Sequence, residues 1–361
     1  MSSIFPKKEK NHLESKLFFD EGVNVARYDK VKYPIFTEFT KKQVGFFWQP
    51  EEFEIYRDIK EFKELSKAEQ HIFTSNLKRQ ILLDSVQGRG PVSTFGQVVS
   101  LPELEVWLTT WQFFETIHSR SYTYIIKNIY SNSGKIFDEM LDIKELIDCT
   151  DQISYYYDDF SNKINLLKQN KIDLYEVKRS LWLALISVNV LEGIRFYTSF
   201  ACSWAFAETK RMEGNAKIIK FIARDESIHL GSTQQLIKIL PKDDEDFVKI
   251  QNETIDETIN IFKLACEQEV IWVDYLFKYG SMLGLNEVVL KNHIYWITNK
   301  RLKAINLPEL YDIKTNSLPW TQNWLNNNST QVALQESENE SYIIGGLKND
   351  LTPEFLKTLK I

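Results

Sequence analysis

No proline falls between Pro102 and Pro241, and along that stretch apolar residues recur at three- and four-residue spacing instead of alternating. A long segment without the residue that breaks helices is expected to fold as a bundle of long helices. Turn chemistry interrupts it at few points: Ser131-Asn132-Ser133-Gly134, Asn170-Lys171 and Glu213-Gly214-Asn215. The spacing predicts helices over 67–87, 102–130, 143–169, 174–209, 214–240, 246–279 and 286–303. No strand pattern competes, so the expected fold class is all-α.

The 361 residues are 43% hydrophobic, enough to bury a sizeable core. Lys and Arg total 44 against 50 Asp and Glu, without the basic excess of a nucleic-acid-binding domain. Cys149, Cys202 and Cys266 stand far apart, which excludes a thiolate zinc site and points to a reducing, cytoplasmic setting. Residues 1–16 are polar and lysine-rich, with no signal-peptide core. Residues 181–207 are apolar enough to suggest a membrane span, but Asn189, Glu192 and Arg195 at their centre are costly in lipid. A helix enclosed by protein is the expectation, with no membrane and no nucleic acid among the partners. The chain divides into an extension over 1–20, a helical domain over 21–330 and a tail over 331–361. That tail is acidic and polar around Glu336, Glu338 and Glu340 and ends in a short apolar pattern.

Two of the five histidines close Glu-x-x-His motifs inside apolar helices: Glu115-Thr116-Ile117-His118 and Glu226-Ser227-Ile228-His229. Residues three apart share a helix face, so each motif points a carboxylate and an imidazole the same way, as in dinuclear carboxylate bundles. Glu9-Lys10-Asn11-His12 has the same spacing in a charged terminal segment and is read as coincidence. Each motif needs one more acid from a preceding helix. Asp84 precedes Glu115 by 31 residues and Glu192 precedes Glu226 by 34, and both lie on apolar faces. The competing reading pairs each acid with Arg120, Arg195 or Arg224 and leaves each histidine a satisfied core residue. For the whole set, four acids converging with two imidazoles repel one another unless cations join them. Oxygen-rich ligation with one imidazole per ion suits iron or manganese rather than structural zinc.

Tyr122 follows His118 by four residues and Glu115 by seven, which places its phenol on the ligand-bearing face. Phe196 and Phe200 extend the Glu192 face and Ile222 precedes Glu226 by one turn, so the three are expected to form a dry wall round the phenol. A core tyrosine bonded through its hydroxyl is the plainer alternative.

These residues resemble the small, radical-generating subunit of class I ribonucleotide reductases, close to the enterobacterial aerobic type. The resemblance runs from about Phe18 to Tyr342. It is carried by Val23-Asn24-Val25-Ala26-Arg27-Tyr28, Phe46-Phe47-Trp48-Gln49-Pro50-Glu51-Glu52, Leu82-Leu83-Asp84-Ser85, the stretch from Glu115 to Tyr122, Leu191-Glu192-Gly193-Ile194-Arg195-Phe196-Tyr197, and the stretch from Ile222 to His229. It implies a ferritin-like helical bundle, a homodimer and a core site for two iron ions. One ion would take Asp84, Glu115 and His118, and the other Glu192, Glu226 and His229. It also implies a stable radical on Tyr122. An electron would enter through Trp48, hydrogen-bonded to Asp225, although Trp48 alone also reads as an anchoring core aromatic. Tyr342 and Glu336 match a redox tyrosine and a functional glutamate in the tail, through which the radical passes to a cysteine of a separate large catalytic (alpha) subunit. The lack of paired cysteines agrees with nucleotide chemistry taking place on that partner.

Manganese is an alternative occupant of the same ligands. A di-iron oxygenase or desaturase, and iron storage, are the competing functions on such a bundle. We expect no additional N-terminal regulatory domain, so that activity control lies with the large subunit. The last residues, 351–361, match no docking tail that identifies their partner.

Overall fold

The long helices begin where the sequence offers caps. Ser66 and Glu69 form a reciprocal capping box that opens the helix Lys67–Gln87. Pro102 stands in the first turn of Pro102–Ile129, and Glu103 from that turn accepts the backbone amides of Lys32 and Tyr33. Asp173 caps Leu174–Val190 through the Glu176 amide, and Asn286 caps Glu287–Ala304 through that of Val289. This computed structural model describes residues 11–22 and 25–326.

Four helices form the centre: Lys67–Gln87, Pro102–Ile129, the run from Leu174 to Glu208, and Glu213–Asp243. Lys144–Lys168 packs along Leu174–Val190, and Ile255–Phe277 packs against Glu287–Ala304 on the far side. Trp107, Trp111, Trp182, Trp204 and Trp272 are fully buried among the aliphatic side chains. Each large apolar side chain taken from water contributes about 1.5–3 kcal/mol, so the bundle is held by its interior. Among the described residues, β character is confined to two isolated bridges, Phe18 with Val99 and Met282 with Leu285. The segment apolar enough to suggest a membrane span is wholly enclosed by protein. Within the expected extension, Leu17 and Phe18 are buried and the Phe19 amide bonds to the Val98 carbonyl.

Four departures from the sequence expectation have physical causes. The helix expected over 174–209 is interrupted by a π turn, Leu191–Arg195, before resuming as Tyr197–Glu208. An extra residue in one turn leaves no trace in a three-to-four spacing pattern. The helix expected from Gly214 begins at Glu213, where Asp58 from a distant helix accepts the amides of Gly214 and Asn215. That helix runs past Pro241 to Asp243, since a proline in the last turn removes only one backbone bond. The stretch expected as one helix over 246–279 divides into Asp246–Glu253 and Ile255–Phe277 at Thr254, whose hydroxyl bonds back to the Ile250 carbonyl. Helices Pro34–Gly45 and Tyr56–Glu64 escape the pattern because they are short and mostly polar.

Candidate metal centre

The four central helices deliver six side chains to one place. Asp84 comes from Lys67–Gln87, Glu115 and His118 from Pro102–Ile129, Glu192 from the π turn, and Glu226 and His229 from Glu213–Asp243. All six are buried. They fall into two sets, Asp84, Glu115, His118 and Glu226, and Glu115, Glu192, Glu226 and His229, with the ligand atoms of each within 4.8 Å of one another. Glu115 and Glu226 belong to both sets. His118 Nδ1 lies 3.1 Å from Glu226 Oε1 and 3.4 Å from Glu115 Oε2. His229 Nδ1 lies 2.8 Å from Glu226 Oε2, 3.0 Å from Glu115 Oε1 and 4.0 Å from Glu192 Oε2. Sequence spacing assigns one glutamate to each half, whereas the fold places both between the halves.

Among the described residues, no arginine neutralises these acids. Arg120 reaches Glu51 at the surface, Arg195 bonds to Cys149 and Gln152, and Arg224 bonds to Asp225 and the Phe46 carbonyl. Both oxygens of Asp84, Glu115 Oε2, Glu192 Oε2, Glu226 Oε1 and His118 Nδ1 make no hydrogen bond of proper geometry. Burial first, then the charges of Glu115 and Glu226, pushes the Asp84 carboxyl well above the usual range. Burial, then Glu226 and Glu115, does the same to Glu192. Burial disfavours imidazolium, yet the same glutamates raise His229 to about 9 and carry His118 well upward. Alone, then, the cluster holds protons to balance its charge. Unpartnered buried oxygens with two aligned imidazoles are a donor set that fits two divalent ions, whose binding expels those protons.

The surroundings orient the donors. Trp111 Nε1 donates to Glu115 Oε1 at 2.7 Å from one turn earlier on the same helix. Gln87 Nε2 donates to Glu192 Oε1 at 2.6 Å, and the Tyr157 hydroxyl donates to Gln87 Oε1 at 2.8 Å. His118 Nε2 lies 3.2 Å from Asp225 Oδ2, which also accepts Trp48 Nε1 at 2.8 Å. A proton on His118 Nε2 leaves Nδ1 free for a cation. Burial raises the Asp225 carboxyl, but Arg224, His118 and Trp48 together hold it below the usual range. Trp111 and Gln87 were legible in principle, lying four residues before Glu115 and three after Asp84. Tyr157 carries no such signal, because its helix bears none of the six.

Tyr122 is completely buried, and its hydroxyl makes no well-directed hydrogen bond. Burial, then the nearby Asp84 carboxylate, pushes its phenol well above the ordinary value. Phe196, Phe200 and Ile222 are fully buried, with the two phenylalanine rings stacked at 5.7 Å. Trp48 is buried edge-on against Phe53 and Phe221. Glu336 and Tyr342, and with them the docking role of the tail, lie outside the described residues.

A family model described as "Ribonucleotide reductase, small chain" matches residues 26–319. The ribonucleoside-diphosphate reductase subunit beta of Buchnera aphidicola subsp. Baizongia pistaciae is 47% identical over 374 aligned positions, which cover 99% of each chain. The ribonucleoside-diphosphate reductase 1 subunit beta of Escherichia coli O157:H7 is 43% identical over 373, again 99% of each. Among solved structures, the ribonucleotide reductase R2 subunit from Clostridium botulinum superposes with a TM-score of 0.79 at 26% identity, covering 90% of this chain and 98% of that one. The dimanganese(II)-NrdF of Streptococcus sanguinis shares the fold, with a TM-score of 0.65 at 21% identity over 84% of this chain and 99% of that one.

Proposed function

The chain belongs to the ribonucleotide reductase small-chain family, as a ribonucleoside-diphosphate reductase beta subunit of the enterobacterial type, and from that premise we propose how its own residues perform the task. Asp84, Glu115, His118, Glu192, Glu226 and His229 hold two iron ions, with manganese as the alternative. The observation that carries this reading is the pair of four-residue sets sharing Glu115 and Glu226 in a core where, among the described residues, no arginine offsets them. When bound, two ferrous ions supply electrons for the reduction of O₂.

The protein's residues do the rest. Tyr122 supplies one electron to the reduction of O₂ and releases its phenolic proton on the side of Asp84, the carboxylate whose charge acts most strongly on the phenol. Phe196, Phe200 and Ile222 enclose the oxidised ring and keep reductants away. The extra electron that O₂ reduction requires enters through Trp48, Asp225 and His118, a path supported by the 2.8 Å and 3.2 Å contacts between them. As a beta-type subunit, the chain acts with a large subunit. It works in the cytoplasm as a homodimer and passes its radical through Glu336 and Tyr342 in the C-terminal tail to a cysteine of that partner. Family membership displaces the oxygenase, desaturase and storage readings.

Adding Fe(II) and then O₂ to the metal-free protein should give an organic-radical EPR signal. Tyr122→Phe should retain about two ions per chain and lose that signal. The same signal persisting in the Phe variant would show that Tyr122 is the wrong residue.

A further inference from the structure

We propose that Tyr157 is a positioning residue for the half of the centre that contains Glu192, acting through Gln87 and admitted to its place by Gly90. The inference rests on the reading of Glu192 as a metal ligand.

Tyr157 lies on the helix Lys144–Lys168, which contributes none of the six cluster residues. Its hydroxyl nevertheless reaches the cluster through one amide, 2.8 Å to Gln87 Oε1 and then 2.6 Å from Gln87 Nε2 to Glu192 Oε1. The relay has a single workable direction. Holding a metal ion, Glu192 is an ionised carboxylate that can only accept, so in the loaded centre Gln87 must turn its NH₂ group toward Glu192 and its oxygen toward Tyr157, whose hydroxyl must then donate. Burial first, and the Glu192 and Glu115 charges next, keep the phenol in its protonated, donating form. The relay engages Oε1 of Glu192 and leaves Oε2, which has no hydrogen bond, on the side of His229 Nδ1.

Gly90 supplies an independent observation. A Cβ at this buried position would stand 2.4 Å from Tyr157 Cζ and 2.5 Å from its hydroxyl oxygen. Any residue except glycine therefore forces the Tyr157 ring or its surroundings to shift. Glu192 also has particular need of a tether. It sits in the π turn, where the ordinary i to i+4 ladder is interrupted. Asp84, its counterpart on a regular helix, has two unpartnered oxygens and no such relay.

Without the Tyr157 hydroxyl, the Gln87 amide is free to turn over, and Glu192 loses its fixed donor. Removal of an outer partner of this kind costs about 10-fold to 100-fold in metal affinity. The loss should fall on one ion, because the other is held by Asp84 and His118 together with the shared glutamates.

The test is anaerobic titration of the full-length, metal-free chain with Mn(II), with free Mn(II) followed by EPR, for the wild type, Tyr157→Phe and Gly90→Ala. A melting curve of each metal-free protein monitors the fold. The wild type should bind two ions. Both variants should keep one site at wild-type affinity and weaken the other by about 10-fold to 100-fold. Gly90→Ala makes the test without removing the phenol, so a failure of Tyr157→Phe to fold does not decide the matter. Equal weakening of both sites, or an unchanged isotherm in the variants, would overturn the positioning role. A wild type that fails to bind two ions would overturn the metal reading instead.

Discussion

His118 and His229 hold equivalent places, each three residues after a glutamate on a central helix, but their far ring nitrogens meet different surroundings. His118 Nε2 faces Asp225, which also receives Trp48 and Arg224, so this imidazole opens onto a charged path. His229 Nε2 has no partner, and its ring lies against Trp111 at 5.3 Å and Trp107 at 6.1 Å. Glu192 on the same side is held by neutral groups, Gln87 and behind it Tyr157. A repeated motif therefore supplies the same donor types to both halves, while the surroundings of the two halves differ. In the proposed reading, one half passes charge and the other holds a carboxylate still.

The largest effect should come from the residues common to both halves. Glu226→Ala removes a member of both sets, so elemental analysis after anaerobic loading and desalting should fall from about two ions per chain to well below one. Asp84→Ala touches one set and should leave about one ion. Equal losses in the two variants would break the account of Glu226 as shared.

Asp225→Asn addresses the conducting half. One amide oxygen cannot replace a carboxylate that accepts from Trp48, His118 and Arg224 together. Metal content should stay near two ions per chain while the radical yield, by EPR spin count, drops about 10-fold to 100-fold. A matching loss of metal would make Asp225 a structural prop.

On the holding half, Arg301 Nε donates at 2.9 Å to the Gly193 carbonyl inside the π turn. Arg301→Met should cost about 1.5–3 kcal/mol in denaturant unfolding, the range for a hydrogen bond to a charged group. The ion beside Glu192 should weaken more than its neighbour.

The smallest effect is a control outside both halves. Asp58, buried against the amides of Gly214 and Asn215, has its carboxyl pushed up to about 6, chiefly by burial. The two amides pull it down, while Glu61 and Glu213 add to the rise. Its folded value lies above the unfolded one of ~3.9, so the folded state binds more protons between about pH 4 and 6. The contribution of this group is therefore greatest below that window and is lost as pH rises through it. For metal-free protein, the melting temperature of the wild type relative to Asp58→Asn should shift in favour of the wild type by ~2–4 °C between about pH 7.5 and 4.5. A shift of opposite sign would show that the backbone amides outweigh burial.

The convergence of the six candidate residues was legible because a buried acid or imidazole declares itself against an apolar helical face, and the expected limits 67–87 coincide with the helix Lys67–Gln87. The π turn was not, because one extra residue in a turn leaves the flanking apolar pattern intact. Nor was the sharing of Glu115 and Glu226, which follows from how closely two helices approach and not from spacing along either. The roles of Arg195 and Arg224 also required the fold: proximity in sequence suggested partners for the acids, yet their guanidinium groups point to Cys149 and to Asp225. Tyr157 and Gly90 meet only when separate segments pack, so neither residue reveals the other.

Anomalous diffraction from crystals loaded with Mn(II) tests the central claim most directly. The account predicts two peaks, each touched by both Glu115 and Glu226, with Asp84 and His118 completing one and Glu192 and His229 the other. A single peak, or metal bound elsewhere while the four carboxyls close on the two histidines, would contradict it.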